Sequence, residues 1–260
     1  HCHDWQAGLV PAYLKTVYIL LKIIRNVEKN GKINFKNAKR VVQKIIGSIE
    51  KNPKGIVTLL RIADLKNIIA FHSANVAIYS ILIGMKLGMP KKKVAELGVC
   101  GLFHDLGMLS VPKEITDYPG QLAQEHWELV WKHPIEGTKA ILRTDRMVDI
   151  VTRAMQVAFQ HQMRQDERSY PQTGRKESVN LYTKIVKVAD AFDAMTNNRP
   201  YRAALSEEEA FHQMLNDTDT AYERLFVKLL INVMGVFPIG ASVKLNTGEI
   251  GVVQQQNQNP

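Results

Sequence analysis

Segments with apolar residues at helical spacing, most of them closed by a glycine, a proline or an asparagine, follow one another along almost the whole chain of 260 residues. Apolar residues that recur every three or four positions form one face of an α-helix. The predicted helices cover residues 13–27, 34–49, 56–62, 72–87, 91–105, 124–131, 134–142, 147–161, 181–196, 206–215 and 220–234. The sequence therefore predicts an all-α fold of one large domain or two small ones.

The C-terminal end has a different pattern. Residues 242–245 and 249–253 are rich in residues that favour strands, and they flank Asn246-Thr247-Gly248. Two short strands separated by a glycine-containing turn are typical of a β-hairpin. We expect a small hairpin after the helical body.

The net charge of +9 at first suggests a nucleic-acid or membrane-surface partner. Residues 1–60 hold 11 Lys+Arg against 3 Asp+Glu, whereas residues 61–260 hold 23 against 22. The basic residues of the N-terminal segment lie between apolar helix positions, without interleaved aromatic residues or a nucleic-acid-binding motif. We interpret them as the solvated face of a helical regulatory or dimer-forming module, with a docking surface for an anionic partner as the alternative, and expect no nucleic-acid binding.

Composition also indicates the cellular compartment of the protein. The longest apolar stretches, such as residues 17–21 and 78–83, are much shorter than the roughly 20 residues that span a bilayer. The two cysteines, Cys2 and Cys100, are too few for a disulfide framework. We expect a cytoplasmic protein without a membrane span.

Histidine and aspartate residues cluster at predicted helix ends in the body of the chain. A single histidine in such a position is usually a satisfied core or surface residue, but Asp190 lies in the apolar run 185–194, where an unpaired carboxylate is costly. A metal ion is a simple partner for it, and mixed imidazole and carboxylate ligands suit Fe, Mn, Zn or Co better than Ca. The candidate ligands are His72, His104, Asp105, His133, His161 and Asp190.

Beyond these single residues, an ordered set of motifs resembles the HD-GYP branch of the HD phosphohydrolases. The resemblance covers most of residues 61–237, and the order of the motifs makes it specific, although the His-Asp pair alone is a weak signal. The motifs are Leu102-Phe103-His104-Asp105-Leu106-Gly107, Val111-Pro112, Pro119-Gly120, His133-Pro134, Gly137, His161, Tyr170-Pro171, Val188-Ala189-Asp190-Ala191-Phe192-Asp193-Ala194 and Arg199-Pro200-Tyr201-Arg202.

The resemblance implies an all-helical HD-domain bundle around a metal centre that hydrolyses cyclic di-GMP or a related phosphodiester. The implied division is an N-terminal helical regulatory or dimerisation module at 1–60, an HD-GYP-like phosphohydrolase domain at 61–237, and a small β appendage with a tail at 238–260. Two divalent transition metals are implied, Fe or Mn first, with Zn, Ni and Co as alternatives. The first ion would be held by His72, His104, Asp105 and Asp190, and the second by Asp105 as a bridge with His133 and His161.

Other roles also come from the resemblance. Asp105 and Asp193 are the expected catalytic carboxylates, and Asp193 would orient water or a ligand, a plain helix-surface acid being the alternative. Arg199 and Arg202 would clamp phosphate oxygens, which a guanidinium fork suits, with surface ion pairing as the alternative. Tyr170 would face a guanine base.

The chain also departs from the family pattern. The stretch His-His-Glu…Asp-Gly-x-Gly-Tyr-Pro appears here as residues 161–171, with Gln162 as the second residue and without either glycine, which Glu167 and Ser169 replace. Lysines expected after Gly107 and before Pro119 are Met108 and Tyr118. Asn67 and Ile68 stand where members often carry a carboxylate, which favours two metals over three.

These departures reduce the number of ligands for the second metal and the number of contacts to phosphate, so weak activity is expected. The alternative function is an attenuated cyclic-dinucleotide sensor or protein-interaction module that retains the metal site. The expected partners are cyclic di-GMP or a related nucleotide, a signalling protein, and a second copy of the chain in a homodimer.

Overall fold

The computed structural model describes residues 4–60, 68–144, 148–166, 168–173, 178–198, 202–235 and 242–253. Twelve α-helices lie in these ranges, and the all-α prediction is confirmed. Two short elements were not predicted: the helix α6 and a 3₁₀ helix at Leu106–Ser110. The helices are α1 (Asp4–Asn30), α2 (Phe35–Lys51), α3 (Pro53–Leu59), α4 (Ile68–Lys86), α5 (Lys91–Phe103), α6 (Lys113–Thr116), α7 (Gln124–Val130), α8 (His133–Leu142), α9 (Asp149–Gln160), α10 (Leu181–Thr196), α11 (Glu207–Asn216) and α12 (Arg224–Met234).

Helix α2 shows why the N-terminal segment is basic. The side chain of Asn34 accepts a hydrogen bond from the backbone N–H of Asn37 and so caps the helix start. Lys36, Lys39 and Lys44 are exposed, whereas the apolar residues face inward. The buried residues are Ala38, Val41, Val42, Ile45, Ile46 and Ile49. The basic residues on this helix are therefore on a solvated face, as predicted.

Helices α4 and α5 form the centre of the fold, and small residues let them approach closely. A Cβ added at Gly101 would lie 2.8 Å from Cα of Ala77, closer than two packed carbon atoms can come. The close crossing places His72, near the start of α4, beside His104, directly after α5, with ring centroids 5.2 Å apart.

Gly107 has a similar role in the 3₁₀ helix. A Cβ at this position would lie 1.9 Å from the carbonyl oxygen of His133 and 2.5 Å from the backbone nitrogen of Gly137. The backbone of the 3₁₀ helix therefore lies directly on the start of α8. This contact brings the segment that carries Asp105 next to His133.

Residues 1–60 share the hydrophobic core of the rest of the described chain. Helix α1 packs on α4, and α2 packs on α5. Phe35 meets Phe103 edge to face with ring centroids 5.1 Å apart, and Tyr13 is 1% exposed. The predicted division at residue 60 is therefore not a break in packing, and a separate role for residues 1–60 stays a prediction.

The predicted C-terminal hairpin is confirmed. Strands β1 (Ser242–Lys244) and β2 (Ile250–Val252) pair antiparallel, with Val243 opposite Gly251. Gly248 in the turn has φ of +91°, a conformation that L side chains rarely adopt.

Helix α4 is the one described helix that is long and apolar enough, by length and composition alone, to cross a membrane. However, 83% of its most apolar stretch is buried inside the fold. The core helix of a globular domain has this same character.

Candidate metal centre

The structure brings all six predicted ligand side chains together. His72 comes from α4, His104 and Asp105 follow α5, His133 begins α8, His161 follows α9, and Asp190 lies in α10. The four histidines are between 1% and 5% exposed. The side chains of the two aspartates are 17% and 14% exposed, so the carboxylates form the accessible side of the cluster.

Asp190 organises one half of the cluster. Its Oδ1 lies 3.1 Å from Nε2 of His72 and 3.7 Å from Nε2 of His104. One ligand atom from each of these three residues lies within 4.8 Å of the other two, a spacing that allows all three to hold one ion.

Asp105 organises the other half. Its Oδ1 lies 3.3 Å from Nε2 of His133 and 3.9 Å from Nε2 of His161. Its second oxygen, Oδ2, lies 4.0 Å from Nε2 of His72. The carboxylate of Asp105 therefore stands between the two halves, the position that a bridging ligand needs.

The backbone fixes the orientation of three of the imidazoles. In each of them Nδ1 lies within 2.9 Å of a carbonyl oxygen one helical turn earlier. Because a carbonyl oxygen can only accept, each Nδ1 must carry the hydrogen, which leaves the Nε2 lone pair for the cluster. The pairs are His104 with Gly101, His133 with Val130, and His161 with Ala158.

The Nε2 atoms are arranged for a cation. Nε2 of His133 and Nε2 of His161 are 3.0 Å apart, although the neutral rings present lone pairs there. Nε2 of His104 is buried and has no hydrogen-bond partner among the described residues. A buried polar atom without a partner is costly, and a cation supplies the partner that these lone pairs lack. The residues present therefore fit a metal ion.

The pKa values fit the same interpretation. Burial, together with the neighbouring His133 and His104, lowers the pKa of His161 to about 3, so this ring is neutral at physiological pH. Burial opposes the ionisation of Asp105 and Asp190, but the surrounding histidines outweigh it and hold the pKa of each carboxyl below its ordinary value. Ionised carboxylates and neutral imidazoles are the forms that bind transition metals.

The sequence pattern of the HD domain family matches residues 58–224, more than half of the chain. The chain belongs to the HD domain family. The resemblance to the HD-GYP branch is confirmed as well, since similar proteins are named cyclic di-GMP phosphodiesterases.

Two cyclic di-GMP phosphodiesterases are among the relatives of this HD domain protein. The one from Pseudomonas aeruginosa is 28% identical over 238 residues, which cover 92% of this chain and 56% of the relative. The one from Borreliella burgdorferi is 26% identical over 253 residues, which cover 96% and 66%. The chain thus spans between about half and two thirds of the length of these relatives.

A 3′3′-cGAMP-specific phosphodiesterase of Vibrio cholerae is 29% identical over 169 residues, which cover 65% of this chain and 36% of that protein. Among solved structures, an HDG"Y"P protein from Bdellovibrio bacteriovorus superimposes with a TM-score of 0.71 at 20% identity. The match covers 89% of this chain and 73% of that one, and it supports the helical HD fold.

Asp193 contacts the histidine–aspartate cluster through His72. It is 1% exposed, and its Oδ2 accepts a 2.6 Å hydrogen bond from Nδ1 of His72. The alternative of a helix-surface acid therefore does not fit. Asp193 is buried and holds a predicted metal ligand, the arrangement typical of a residue that positions a ligand, and its catalytic role stays a prediction.

Tyr170 and Gln162 lie at the edge of the cluster. The ring of Tyr170 is 5.9 Å from the ring of His133 and 6.3 Å from that of Trp131. Nε2 of Gln162, which replaces the family's second histidine, donates to Oδ2 of Asp190 at 3.3 Å. Gln162 thus faces the ligand set but presents an N–H where a histidine would present a lone pair.

Of the two predicted phosphate-binding arginines, Arg202 lies in the part of the chain that the structure describes. Arg199 lies outside the described residues. Arg202 donates through a terminal nitrogen to the carbonyl oxygen of Ala194, near the end of α10. Its guanidinium group holds the helix end in this structure, and its phosphate role stays a prediction.

One cleft beside the histidine–aspartate cluster is mainly apolar, and we call it the apolar cleft. Its volume is about 90 Å³, and His72 and Asp105 form its floor. Trp127 lies in its wall, stacked on Trp131 at 6.5 Å. Met108, at the position of an expected lysine, also lines it. The remaining lining residues are Ile68, Ile69, Ile115, Thr116, Leu122 and Val130.

A second cleft, the cationic cleft, lies beside Asp190 and His161. Its volume is about 280 Å³, and Gln162, Arg164 and Lys187 line it. Sequence reasoning missed Lys187 and Arg164. The signal for Lys187 was a lone lysine in the apolar run 185–194, one helical turn before the predicted ligand Asp190.

Lys187 is held in place although it is buried. It is 8% exposed, and its Nζ donates to the carbonyl oxygen of Met163. Burial, followed by the charge of Arg164, lowers the pKa of its ammonium group to about 8. The group still carries its charge at neutral pH, and an ammonium with one backbone acceptor has two further N–H donors.

Arg164 is also fixed. Its Nε and a terminal nitrogen donate to both oxygens of Asp166, at 2.8 to 3.1 Å. Arg168 donates to the same carboxylate from the other side. This charged network orders the segment that lacks the family's glycines, so the cationic cleft has a preorganised wall.

Proposed function

We propose that the chain is a metal-dependent phosphodiesterase of the HD-GYP type that hydrolyses cyclic di-GMP or a related phosphodiester. One observation carries this proposal. Four buried imidazoles direct Nε2 lone pairs at two ionised carboxylates, and each Nδ1 is held by a backbone carbonyl or by Asp193. The names of the relatives support the substrate class.

We propose that the cluster holds two divalent transition metals, Fe or Mn first, with Zn, Ni and Co as alternatives. His72, His104, Asp105 and Asp190 would hold one, and Asp105, His133 and His161 the other. Such ions, when bound, polarise a phosphoryl oxygen and lower the pKa of water toward neutrality. The protein side chains would bind and orient the substrate.

The two clefts suit different parts of a cyclic dinucleotide. Lys187 and Arg164 would neutralise phosphate oxygens in the cationic cleft, since both carry donors that are already fixed in direction. Trp127 in the apolar cleft, and Tyr170 beside His133, offer aromatic faces for purine bases. Arg199 and Arg202 remain proposed phosphate ligands.

The second candidate function is a cyclic-dinucleotide sensor or interaction module that keeps the metal site with little turnover. Gln162 is the observation that favours it. Its side-chain amide donates to Asp190 and supplies no lone pair from nitrogen, so the cluster has one imidazole fewer than the family pattern.

Metal analysis paired with a hydrolysis assay separates the two functions. We expect about two Mn or Fe ions per chain and slow hydrolysis of cyclic di-GMP, with roughly tenfold faster hydrolysis in Gln162→His because a lone pair is restored beside Asp190. Gln162→Ala is the control and should not gain activity. Fewer than two bound metals would contradict the binuclear site. Binding of cyclic di-GMP without turnover in wild type and in Gln162→His would favour the sensor.

Three further properties are proposals at this stage. Residues 1–60 would form a regulatory or dimerisation module that answers to a signalling partner, residues 61–237 the phosphohydrolase domain and residues 238–260 the appendage. A homodimer would form through the N-terminal helices, and the protein would work in the cytoplasm. Light scattering of the full chain and of a variant with charge-reversed lysines on α2 tests the dimer.

A further inference from the structure

A buried chain of hydrogen bonds joins the N-terminal helix α1 to the metal cluster. The hydroxyl of Tyr13 donates to Oδ1 of Asn75 at 2.7 Å, and Nδ2 of Asn75 donates to Oδ1 of Asp193 at 2.8 Å. Asp193 accepts from Nδ1 of His72 through its other oxygen. Tyr13 and Asn75 are 62 residues apart, so the link is formed by the fold alone.

Asn75 has only one orientation that satisfies its neighbours. Its Nδ2 also donates to the carbonyl oxygen of Leu60, at 2.9 Å, and this residue directly follows α3. If the carboxamide were flipped, its oxygen would face the carbonyl of Leu60 and the carboxylate of Asp193, which are both acceptors. Leu60 and Asp193 therefore fix the orientation of the Asn75 amide, and its oxygen accepts the hydrogen bond from the Tyr13 hydroxyl.

Burial makes each link of this chain consequential. Tyr13, Asn75 and Asp193 are 1%, 2% and 1% exposed, so water does not replace a bond that is lost. The Asp193 carboxylate is also held by Nδ2 of Asn197, at 2.8 Å on the same oxygen that Asn75 contacts. The position of the Asp193 carboxylate therefore depends on the side chains of both Asn75 and Asn197.

We propose that Tyr13 and Asn75 are positioning residues through which the N-terminal helices set the orientation of His72. This inference rests on the proposed metal centre and extends it, because it assigns to residues 1–60 a direct effect on one metal ligand. A shift of α1 by one residue moves a side chain about 1.5 Å along the helix axis, enough to take the Tyr13 hydroxyl out of hydrogen-bond range. A signal that moves α1 would in this way change the affinity of the centre for metal.

Calorimetric titration of Mn²⁺ into the metal-depleted full chain tests this inference. Tyr13→Phe removes one oxygen atom and keeps the ring packing against Phe71. We expect it to weaken Mn²⁺ binding by about three- to tenfold, at the lower end of what partners behind metal ligands typically contribute.

The matched control is Tyr182→Phe. Tyr182 is also a buried tyrosine, 5% exposed, whose hydroxyl donates to a side chain, here Oε2 of Glu96 at 3.1 Å. It should leave Mn²⁺ affinity as in wild type. Equal weakening in both variants would show a general loss of stability and would overturn the inference, as would unchanged Mn²⁺ binding in Tyr13→Phe.

A double variant tests the route itself. Once Asp193→Ala has removed the link to His72, adding Tyr13→Phe should have no further effect on Mn²⁺ affinity. Additive losses in the double variant would mean that Tyr13 acts by another route. If wild type itself bound no Mn²⁺, the proposed metal centre would fail and this inference with it, a result distinct from intact binding that Tyr13→Phe leaves unchanged.

Discussion

The two clefts beside the histidine–aspartate cluster differ in chemistry although cluster residues line both of them. The apolar cleft has Met108 and Trp127 beside Asp105, and a lysine expected from the family pattern is missing there. The cationic cleft has Lys187 and Arg164 beside Asp190. In the described residues the positive charge beside the cluster therefore lies on the Asp190 side.

This difference indicates that substrate binding and catalysis depend on different residues. The four histidines among the predicted metal ligands are held by backbone carbonyls or by Asp193. Charge around the cluster can thus be redistributed without moving the ligand atoms. Changes in the cluster itself should therefore have a large effect on activity, and changes in the two clefts should have smaller and different effects.

Asp105→Asn should have the largest effect, because Asp105 stands between both halves of the cluster. Removing its charge while keeping its shape should reduce cyclic di-GMP hydrolysis by at least about 10³-fold and lower the metal content. Asp149→Asn is the control, since Asp149 is exposed at the start of α9 and loses the same charge. Full metal content and activity in Asp105→Asn would contradict the role of Asp105 in both halves of the cluster.

The sequence predicted the histidine–aspartate cluster better than the clefts, and the reason is physical. A helix-end His-Asp pair before a glycine, a histidine before a proline and a carboxylate in an apolar run are local signals, and the structure brings these residues together. The helices and the hairpin also follow from local periodicity and turn residues. The role of the histidines and aspartates as metal ligands remains a prediction that the experiments above test.

Features that depend on distant contacts could not be predicted in this way. The bond between Tyr13 and Asn75 joins helices 62 residues apart, and nothing in either segment signals it. Lys187 was the one lysine in an apolar run, but its place beside Asp190 depends on the rotation of α10. The contact of Arg202 with the backbone carbonyl of Ala194 likewise has no local signal in the sequence.

On the cationic side, Lys187→Met should raise the KM for cyclic di-GMP by about 10- to 100-fold with a smaller change in kcat, as expected for a lost hydrogen bond to a charged group. It should also flatten the rise of KM with salt, because less of the binding would be electrostatic. Lys184→Met, on the same helix but paired with Glu223, is the control and should leave KM unchanged. An unchanged salt dependence in Lys187→Met would argue against a cationic phosphate site.

On the apolar side, Trp127→Ala should raise KM by roughly tenfold, the effect of one lost base stack. Trp127→Phe should recover most of the affinity, and the salt dependence should stay that of wild type. Leu129→Ala, at a similarly exposed apolar residue of α7 that does not line the cleft, provides the matched control. If Trp127→Ala flattened the salt dependence as Lys187→Met does, the two clefts would not be chemically distinct.

The smallest expected effect concerns the network that holds Arg164 in the cationic wall. The hydrogen bond from Arg164 lowers the pKa of the Asp166 carboxyl far below its ordinary value of 3.8. Because this pKa is depressed by folding, the bond stabilises the protein above about pH 4, and the stabilisation is lost as the pH falls further. Asp166→Asn should therefore lower the free energy of unfolding by about 1 kcal/mol at pH 7.

Urea unfolding of wild type and Asp166→Asn between pH 7 and pH 3 measures this difference. It should stay constant down to about pH 4 and then shrink, since the Asp166 carboxyl of the unfolded chain takes up a proton below its ordinary pKa while the folded one stays ionised. Asp217→Asn, whose carboxylate is more exposed and lies 3.6 Å from Arg164, should show a smaller difference over the same range. A difference between wild type and Asp166→Asn that persisted unchanged at pH 3 would mean that the charge of Asp166 does not hold Arg164, and the preorganised wall would lose its physical basis.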